Sequence, residues 1–545
     1  MPPSPLTLSS PSLLPCVPPD PVDVLVVGGG INGAGIARDL AGRGWRVLLV
    51  EQDDLAAHTS SASTKLIHGG LRYLEHHAFS LVRKALQERE VLLRSAPHIM
   101  WPMRFVLPHD PGMRPAWLIR LGLFLYDHLA RRAVLPGSCA VDLRADPVGR
   151  PLQARYTRGF VYSDGWVDDA RLVVLNAVDA RDRGATVMTR TRCAQARRHA
   201  DHWSATLVGA DGHAHTVRAR ALVNAAGPWA ERFLRDVARP AGAEALATRS
   251  LRLVKGSHIV VPRCFDHDHA YLFQNPDGRI LFAIPYERDF TLIGTTDQEL
   301  HGDPRGACIG DDEVAYLCEH ASRCFARPIT PADVVWTYSG VRPLLDDASG
   351  NPSAITRDYL LETHADGAPL LTAWGGKITT FRRLAEDAGN EVGRLLGEAR
   401  PAWTADASLP GGDLRAWIGE PQRPDTDFAR FVAALCARHA WLPAGLAHRW
   451  ARAYGGRVEQ LVAQAQALSD LGAVVVPGLY EAELRYLQRE EWAVTGDDVL
   501  WRRSKLGLHL TADERAQVAD WMKRHPADGV QTGGLTRAVA PSASP

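Results

Sequence analysis

With 545 residues the chain is too long for one ordinary core and is expected to form two or three domains, at least one of them large. Its 46% hydrophobic and 23% charged residues are those of a globular protein, and 62 basic against 62 acidic side chains leave no formal net charge, so nucleic acid is not an expected partner. The eight cysteines are scattered without a C-x-x-C pair, which argues against a disulfide scaffold or a zinc site and for a reducing compartment; no metal is expected.

Residues 1–20 hold seven prolines and no Lys or Arg, so they lack the charged start and apolar run of a signal peptide and read as a disordered leader. A short apolar strand at 22–27, a glycine cluster, a helix at 31–43 and a second strand at 46–50 give the βαβ opening of a doubly wound fold. Apolar spacing at 75–94 and 115–132 is helical. Between 203 and 359 short β-rich runs such as SHIVVP, RILFAIPY and FTLIGTTD point to a mixed or antiparallel sheet. PLLTAW returns as a strand, GGK turns, and a helix is expected to begin near Ile378. After Pro401 a linker leads to a separate helical domain at 414–525, with 526–545 as a disordered tail. Arg452, Arg457, Arg485, Arg489, Arg502, Arg503 and Lys505 of that domain, interspersed with Asp and Glu, read as a solvated surface. No run reaches the roughly 18 uninterrupted apolar residues of a bilayer span.

The strongest local signal is VDVLVVGGGINGAGIARDLAGRGWRVLLVE. Gly28, Gly30 and Gly33 match G-x-G-x-x-G directly after a strand, where they permit a tight turn, close approach to a pyrophosphate and close helix packing; Asn32 lies within the same turn. The helix N-terminus offers N–H groups and positive dipole to phosphates, and Glu51 is placed to accept ribose hydroxyls. An adenine dinucleotide is expected here, the alternative being a glycine-rich turn without nucleotide. Ala225, Ala226 and Gly227 after a strand form a second candidate contact, and Gly375 and Gly376, leading to Lys377, Thr379 and Thr380 at a helix start, form a third. Each could equally be an ordinary turn or a solvated cap.

TSSASTKLIHGGLRYLE (59–75), VKGSHIVVP, IGTTD, WTYSGVRPL, ITRDY and GGKITT follow the fingerprint in this order, and with DDVLWRRSKLGLHL near the end they resemble the aerobic, FAD-dependent glycerol-3-phosphate dehydrogenase family over about residues 22–521. The resemblance implies an α/β fold of FAD-dependent oxidoreductase type: a Rossmann-like FAD-binding domain interwoven with a mixed or antiparallel substrate sheet within 21–400, plus the C-terminal helical domain. It implies oxidation of sn-glycerol 3-phosphate to dihydroxyacetone phosphate, with a hydride passing from C2 to flavin N5 and electrons onward to membrane ubiquinone. FAD is expected to be noncovalent and to touch Gly28, Gly30, Asn32, Gly33, Glu51, Ser60, Ser61, Lys65, His68, Gly227, Gly340, Gly376 and Thr379. Arg72 and Arg357 are expected to anchor the phosphate, with Tyr73 and Lys377 beside them, because guanidinium suits bidentate phosphate recognition. His258 is the expected proton acceptor and Arg342 the group that polarises the hydroxyl; a hydrogen-bonded core histidine is the competing reading of His258, and the two roles are open to reversal.

Ubiquinone lies in lipid, so a chain without a span is expected on the cytoplasmic face of the inner membrane. RPAWLIRLGLFLYDHLARR (114–132) is the candidate contact, with Trp117, Leu118, Leu121, Phe124, Leu125 and Leu129 flanked by Arg114, Arg131 and Arg132; an ordinary packed helix is the alternative. The helical tail is open to capping, to oligomerisation, for which a homodimer is the form to test, or to binding another protein. Two further readings compete: a soluble oxidase reducing oxygen, and a non-catalytic flavoprotein acting as redox sensor.

Overall fold

A computed structural model of the chain describes residues 17–76, 78–110, 112, 114–240, 248–275, 277–346 and 358–527. Residues 1–16 of the proline-rich leader and 528–545 of the tail therefore lie outside the described residues.

The strand Val22–Val27 is buried along its whole length, as its unbroken apolar run demands for a strand covered on both faces. It pairs in parallel with Val47–Val50 on one side and with Ala214–Asn224 on the other. Ala214–Asn224 also pairs in parallel with Leu370–Trp374, so Asn224 lies beside Thr372, 148 positions further along the chain; the register sets Val27 level with Val50 and Asn224. The carboxyl ends of these strands form one edge of a nine-stranded sheet, the place where doubly wound folds bind ligands. The helices Ile31–Gly42 and Asp169–Asp182 pack against each other beside this sheet.

A second sheet of ten strands is mainly antiparallel. Its strand Leu251–Pro262 lies between Phe290–Gly294 and Trp336–Leu345, with His258 opposite both Gly294 and Tyr338. The β-rich runs SHIVVP, RILFAIPY and FTLIGTTD expected in this part of the chain form strands of this sheet, and the helix Asp311–Cys324 is inserted among its strands. The helix expected near Ile378 is present, entered through a tighter first turn. Ile378–Thr380 forms a single 3-10 turn and the α-helix runs Phe381–Leu395, consistent with three β-branched residues being poor helix starters.

The C-terminal part has its own apolar core, which includes Leu414, Phe431, Trp450, Leu484, Leu487, Val518 and Trp521. It is mostly helical but adds a small hairpin, Val474–Val476 with Leu479–Tyr480. Several of its basic side chains are not solvated. Arg503 is fully buried and forks onto Asp54 at 2.6 and 2.7 Å, Arg502 joins the same carboxylate at 2.6 Å, and Arg457 reaches Asp182 at 2.9 Å. From the other side, Arg171 forks onto Glu491, Arg181 reaches Glu490 at 3.0 Å, and Arg190 reaches Asp498 at 2.5 Å. Carboxylates and guanidiniums alternate across the seam, so charge that looked superficial in sequence is consumed in docking the two parts.

No helix among the described residues is long and apolar enough to cross a membrane. The helix Ala116–His128 buries Leu123 and Tyr126 yet leaves Trp117 68%, Phe124 50% and Leu121 46% exposed.

Candidate active site

At the end of Val22–Val27 the backbone of Gly28 takes φ +113°, and a Cβ there would lie 2.5 Å from the Ala225 carbonyl oxygen. A Cβ on Gly33 would lie 1.8 Å from the Gly28 carbonyl oxygen, so helix and turn touch as closely as glycine allows. Gly30 opens the helix without a side-chain cap, and the Ile31 N–H donates to Ser60 Oγ at 2.9 Å. Glu51 accepts the Gly29 and Asp53 N–H groups at 2.6 and 2.9 Å, while burial pushes its pKa up. Asn32 Nδ2 donates to the Gly375 carbonyl at 3.0 Å, leaving its buried Oδ1 without a partner. Gly376 lies against Asn32, and Gly227, with φ +55°, faces open space. These groups converge on a cavity of about 600 Å³ lined by Gly28, Gly30, Asn32, Glu51, Ser60, Gly227 and Gly376.

The residues present fit an adenine dinucleotide. At Gly28 and Gly33 the turn has no room for Cβ atoms, the helix N-terminus and an orphaned buried amide oxygen face the site, and a carboxylate stands beside the second strand.

From Ser60 the chain runs as a loop over the second sheet. Thr59 donates its hydroxyl to the Val341 carbonyl at 2.8 Å, Tyr338 donates to the Ser63 carbonyl at 2.8 Å, and a Cβ on Gly340 would lie 2.8 Å from the Ala62 carbonyl oxygen. Ser61 closes the turn by donating to the His58 carbonyl at 3.2 Å. Lys65 is not brought to the cavity. It is buried with φ +60°, and its ammonium donates to Asp169 at 2.8 Å and to the Ser61 carbonyl at 3.1 Å. Asp169 also accepts the Ser63 hydroxyl at 2.7 Å, so one buried carboxylate ties down the whole loop. Farther on, the His68 N–H donates to the buried Thr379 hydroxyl at 3.2 Å, joining the loop to the turn after Gly376.

His258 lies under this loop, 1% exposed, with Nε2 3.0 Å from Thr64 Oγ1 and its ring stacked 4.7 Å from that of Tyr338. Among the described residues its Nδ1 has no hydrogen-bond partner. Burial, aided by the positive charges of Arg342 and Lys65, holds its pKa well below the ordinary value, so the imidazole is neutral. Arg342 lies four pairs away along the same two strands, opposite Val254, and pairs with the Asp297 carboxylate, while its other nitrogen donates to Thr295 Oγ1 at 3.2 Å. Gly256 makes room for it, since a Cβ there would lie 2.5 Å from the guanidinium. Tyr73 and Lys377 meet, with the ammonium 3.8 Å above the ring. The backbone of Arg72 lies in the 3-10 turn Leu71–His76, and Arg357 lies outside the described residues.

Sequence reasoning missed Asp169, Thr64 and Tyr338. Thr64 and Tyr338 sit inside the motifs TSSASTKLIHGGLRYLE and WTYSGVRPL, where a hydroxyl directly before Lys65 and an aromatic two positions before Gly340 were the available signals.

The family profile described as FAD dependent oxidoreductase matches residues 23–382, and the C-terminal domain of alpha-glycerophosphate oxidase matches residues 402–526. A glycerol-3-phosphate dehydrogenase of Pseudomonas aeruginosa is 51% identical over 507 residues, covering 92% of this chain and 96% of that one. The chain belongs to the FAD-dependent glycerol-3-phosphate dehydrogenase family. A D-erythritol 1-phosphate dehydrogenase of Brucella abortus is as similar, 50% identical over 505 residues, with 92% and 98% of the two chains covered. Among solved structures, the glycerol-3-phosphate dehydrogenase of Bacillus halodurans complexed with FAD superposes with a TM-score of 0.71 at 25% identity, covering 92% of this chain and 94% of that one. FAD is therefore the dinucleotide of this family member.

Proposed function

We propose that the protein oxidises sn-glycerol 3-phosphate at C2 to dihydroxyacetone phosphate and delivers the electrons to ubiquinone at the cytoplasmic face of the membrane. The supporting observation is a neutral, buried His258, whose Nδ1 is free, on the same strand pair as Arg342 and beneath the loop that continues from the dinucleotide cavity. Bound FAD supplies hydride acceptance at N5 and is held without a covalent bond, so denaturation releases it intact. His258 takes the C2 hydroxyl proton as the carbonyl forms, and its neutral state at physiological pH fits it for that role. Arg342, aimed by Asp297 and Thr295, polarises the reacting oxygen. Lys377 over Tyr73 provides positive charge for the phosphate, in concert with Arg72 and Arg357. The Thr59–Gly69 loop covers the site from water.

The exposed apolar face of Ala116–His128, with Arg114 and Arg120 nearby, supports a lipid-facing role for that helix. The Brucella relative supports a second substrate reading, a four-carbon polyol phosphate. Anaerobic titration decides between them. Glycerol 3-phosphate should bleach the flavin at lower concentration than D-erythritol 1-phosphate, and a quinone analogue should restore the colour faster than oxygen does. A flavin left oxidised by both substrates refutes the proposal.

A further inference from the structure

We propose that the segment 303–305 is a strap across the mouth of the FAD cavity, with Arg305 supplying a cation to the cofactor's diphosphate. The segment belongs to the second sheet by sequence, since it follows the edge strand Gln298–Glu299, yet it reaches back to the first domain. Gly302, at φ +114°, turns the chain, and Asp303 caps the 3-10 turn Pro304–Gly306 by accepting the Arg305 N–H at 3.0 Å. The same carboxylate accepts the Trp229 indole N–H at 3.3 Å and lies 3.6 Å from Arg232. Trp229 in turn meets His58 edge-on at 4.7 Å, and His58 Nε2 lies 2.8 Å from Asp53. Three distant stretches of chain are thus latched around one opening.

Asp303 and Arg305 both line the 600 Å³ cavity, and Arg305, His58 and Trp229 also form the wall it shares with an adjoining crevice of about 290 Å³. Among the described residues no hydrogen bond or ion pair engages the Arg305 guanidinium, although the carboxylates of Asp53 and Asp303 feel its charge. The glycine turn and helix N-terminus offer N–H groups but no formal positive charge to a diphosphate, which carries two negative charges. Arg232 is already tied to Asp236 and Asp303. Arg192, the other cation lining the cavity, adjoins Thr191, whose N–H donates to the Glu51 carbonyl at 2.7 Å, and so belongs to the adenosine end. Arg305, which shares a cavity wall with His58, is left for the phosphates, for which a guanidinium is well shaped.

The test is FAD release from the full-length holoenzyme, followed by the rise of flavin fluorescence after dilution. Arg305→Gln should release FAD about tenfold faster, the loss of one charge-assisted contact, and Arg305→Lys should fall between it and the parent. Added salt should speed release from the parent more than from Arg305→Gln. Riboflavin, which has no phosphate, should bind the deflavinated parent and the Gln variant equally. Unchanged FAD release from Arg305→Gln overturns the proposal. So does an equal loss of riboflavin affinity, which would mean that the residue merely supports the fold.

Discussion

Acid should loosen the docking of the C-terminal domain, and His98 is where the effect concentrates. This residue is fully buried, neither ring nitrogen has a hydrogen-bond partner among the described residues, and it packs against Gly455 of the C-terminal domain, where a Cβ would lie 2.9 Å from its ring. Burial, with the positive charges of Arg171 and Arg452 adding to it, pulls its pKa from 6.5 down to about 3. In the unfolded chain the same ring protonates near its ordinary value. Because the folded pKa is the lower one, the native state holds its full advantage above pH 6.5 and loses it as pH falls toward 3. At pH 5 the native ring is still neutral, so the loss depends only on the unfolded value and comes to ~2 kcal/mol relative to pH 7. The assay is urea unfolding of the parent and of His98→Leu at both pH values, followed by tryptophan fluorescence. The parent should lose ~2 kcal/mol more than the variant between pH 7 and 5, with other titrating groups cancelling in the comparison. Equal losses in the two proteins would refute the reasoning.

Gly33→Ala should yield protein without flavin, because the new methyl would sit 1.8 Å from the Gly28 carbonyl; the absorbance ratio of flavin to protein after purification checks it. His258→Gln should keep its flavin but lower kcat by about a hundred- to ten-thousandfold, the usual contribution of a positioned proton acceptor. In the parent, the rate between pH 6 and 8 should show no limb from His258, since its pKa is pushed below that window. Asp169→Asn should lower stability by about 3–5 kcal/mol, measured by thermal unfolding, since it strands the Lys65 ammonium in a buried site. Lys65→Met with Asp169→Asn should recover part of that loss.

The glycine turn, the strand before it and the acid after it were readable because each obeys a local rule. Val22–Val27 is an apolar run of strand length, and the fingerprint glycines are required by contacts within a few residues of chain. The helix Asp169–Asp182 was not readable, because nearly every position of it is buried and no polar face marks its period. Tertiary partnerships were equally hidden. Nothing local announces that Lys65 meets Asp169, 104 residues away, or that Arg503 meets Asp54 across 449. The motif that contains Lys65 pointed to the flavin loop, while the side chain itself holds that loop from beneath. Ion pairing also explains why the tail's arginines seemed superficial, since their carboxylate partners lie in the other part of the chain.

The seam between the two parts has a consequence for how this architecture tolerates division. Apolar contact crosses it too, since Trp492 of the C-terminal part is buried in the core of the first and Trp501 stacks 4.6 Å from Trp336. Here the surfaces that part are edged with guanidinium and carboxylate groups, from Arg171 and Glu491 to Asp54 and Arg503, and water rehydrates these readily. Severing the chain between the two parts would bare these indoles along with the charges, so the pieces stay dispersed only while they remain docked.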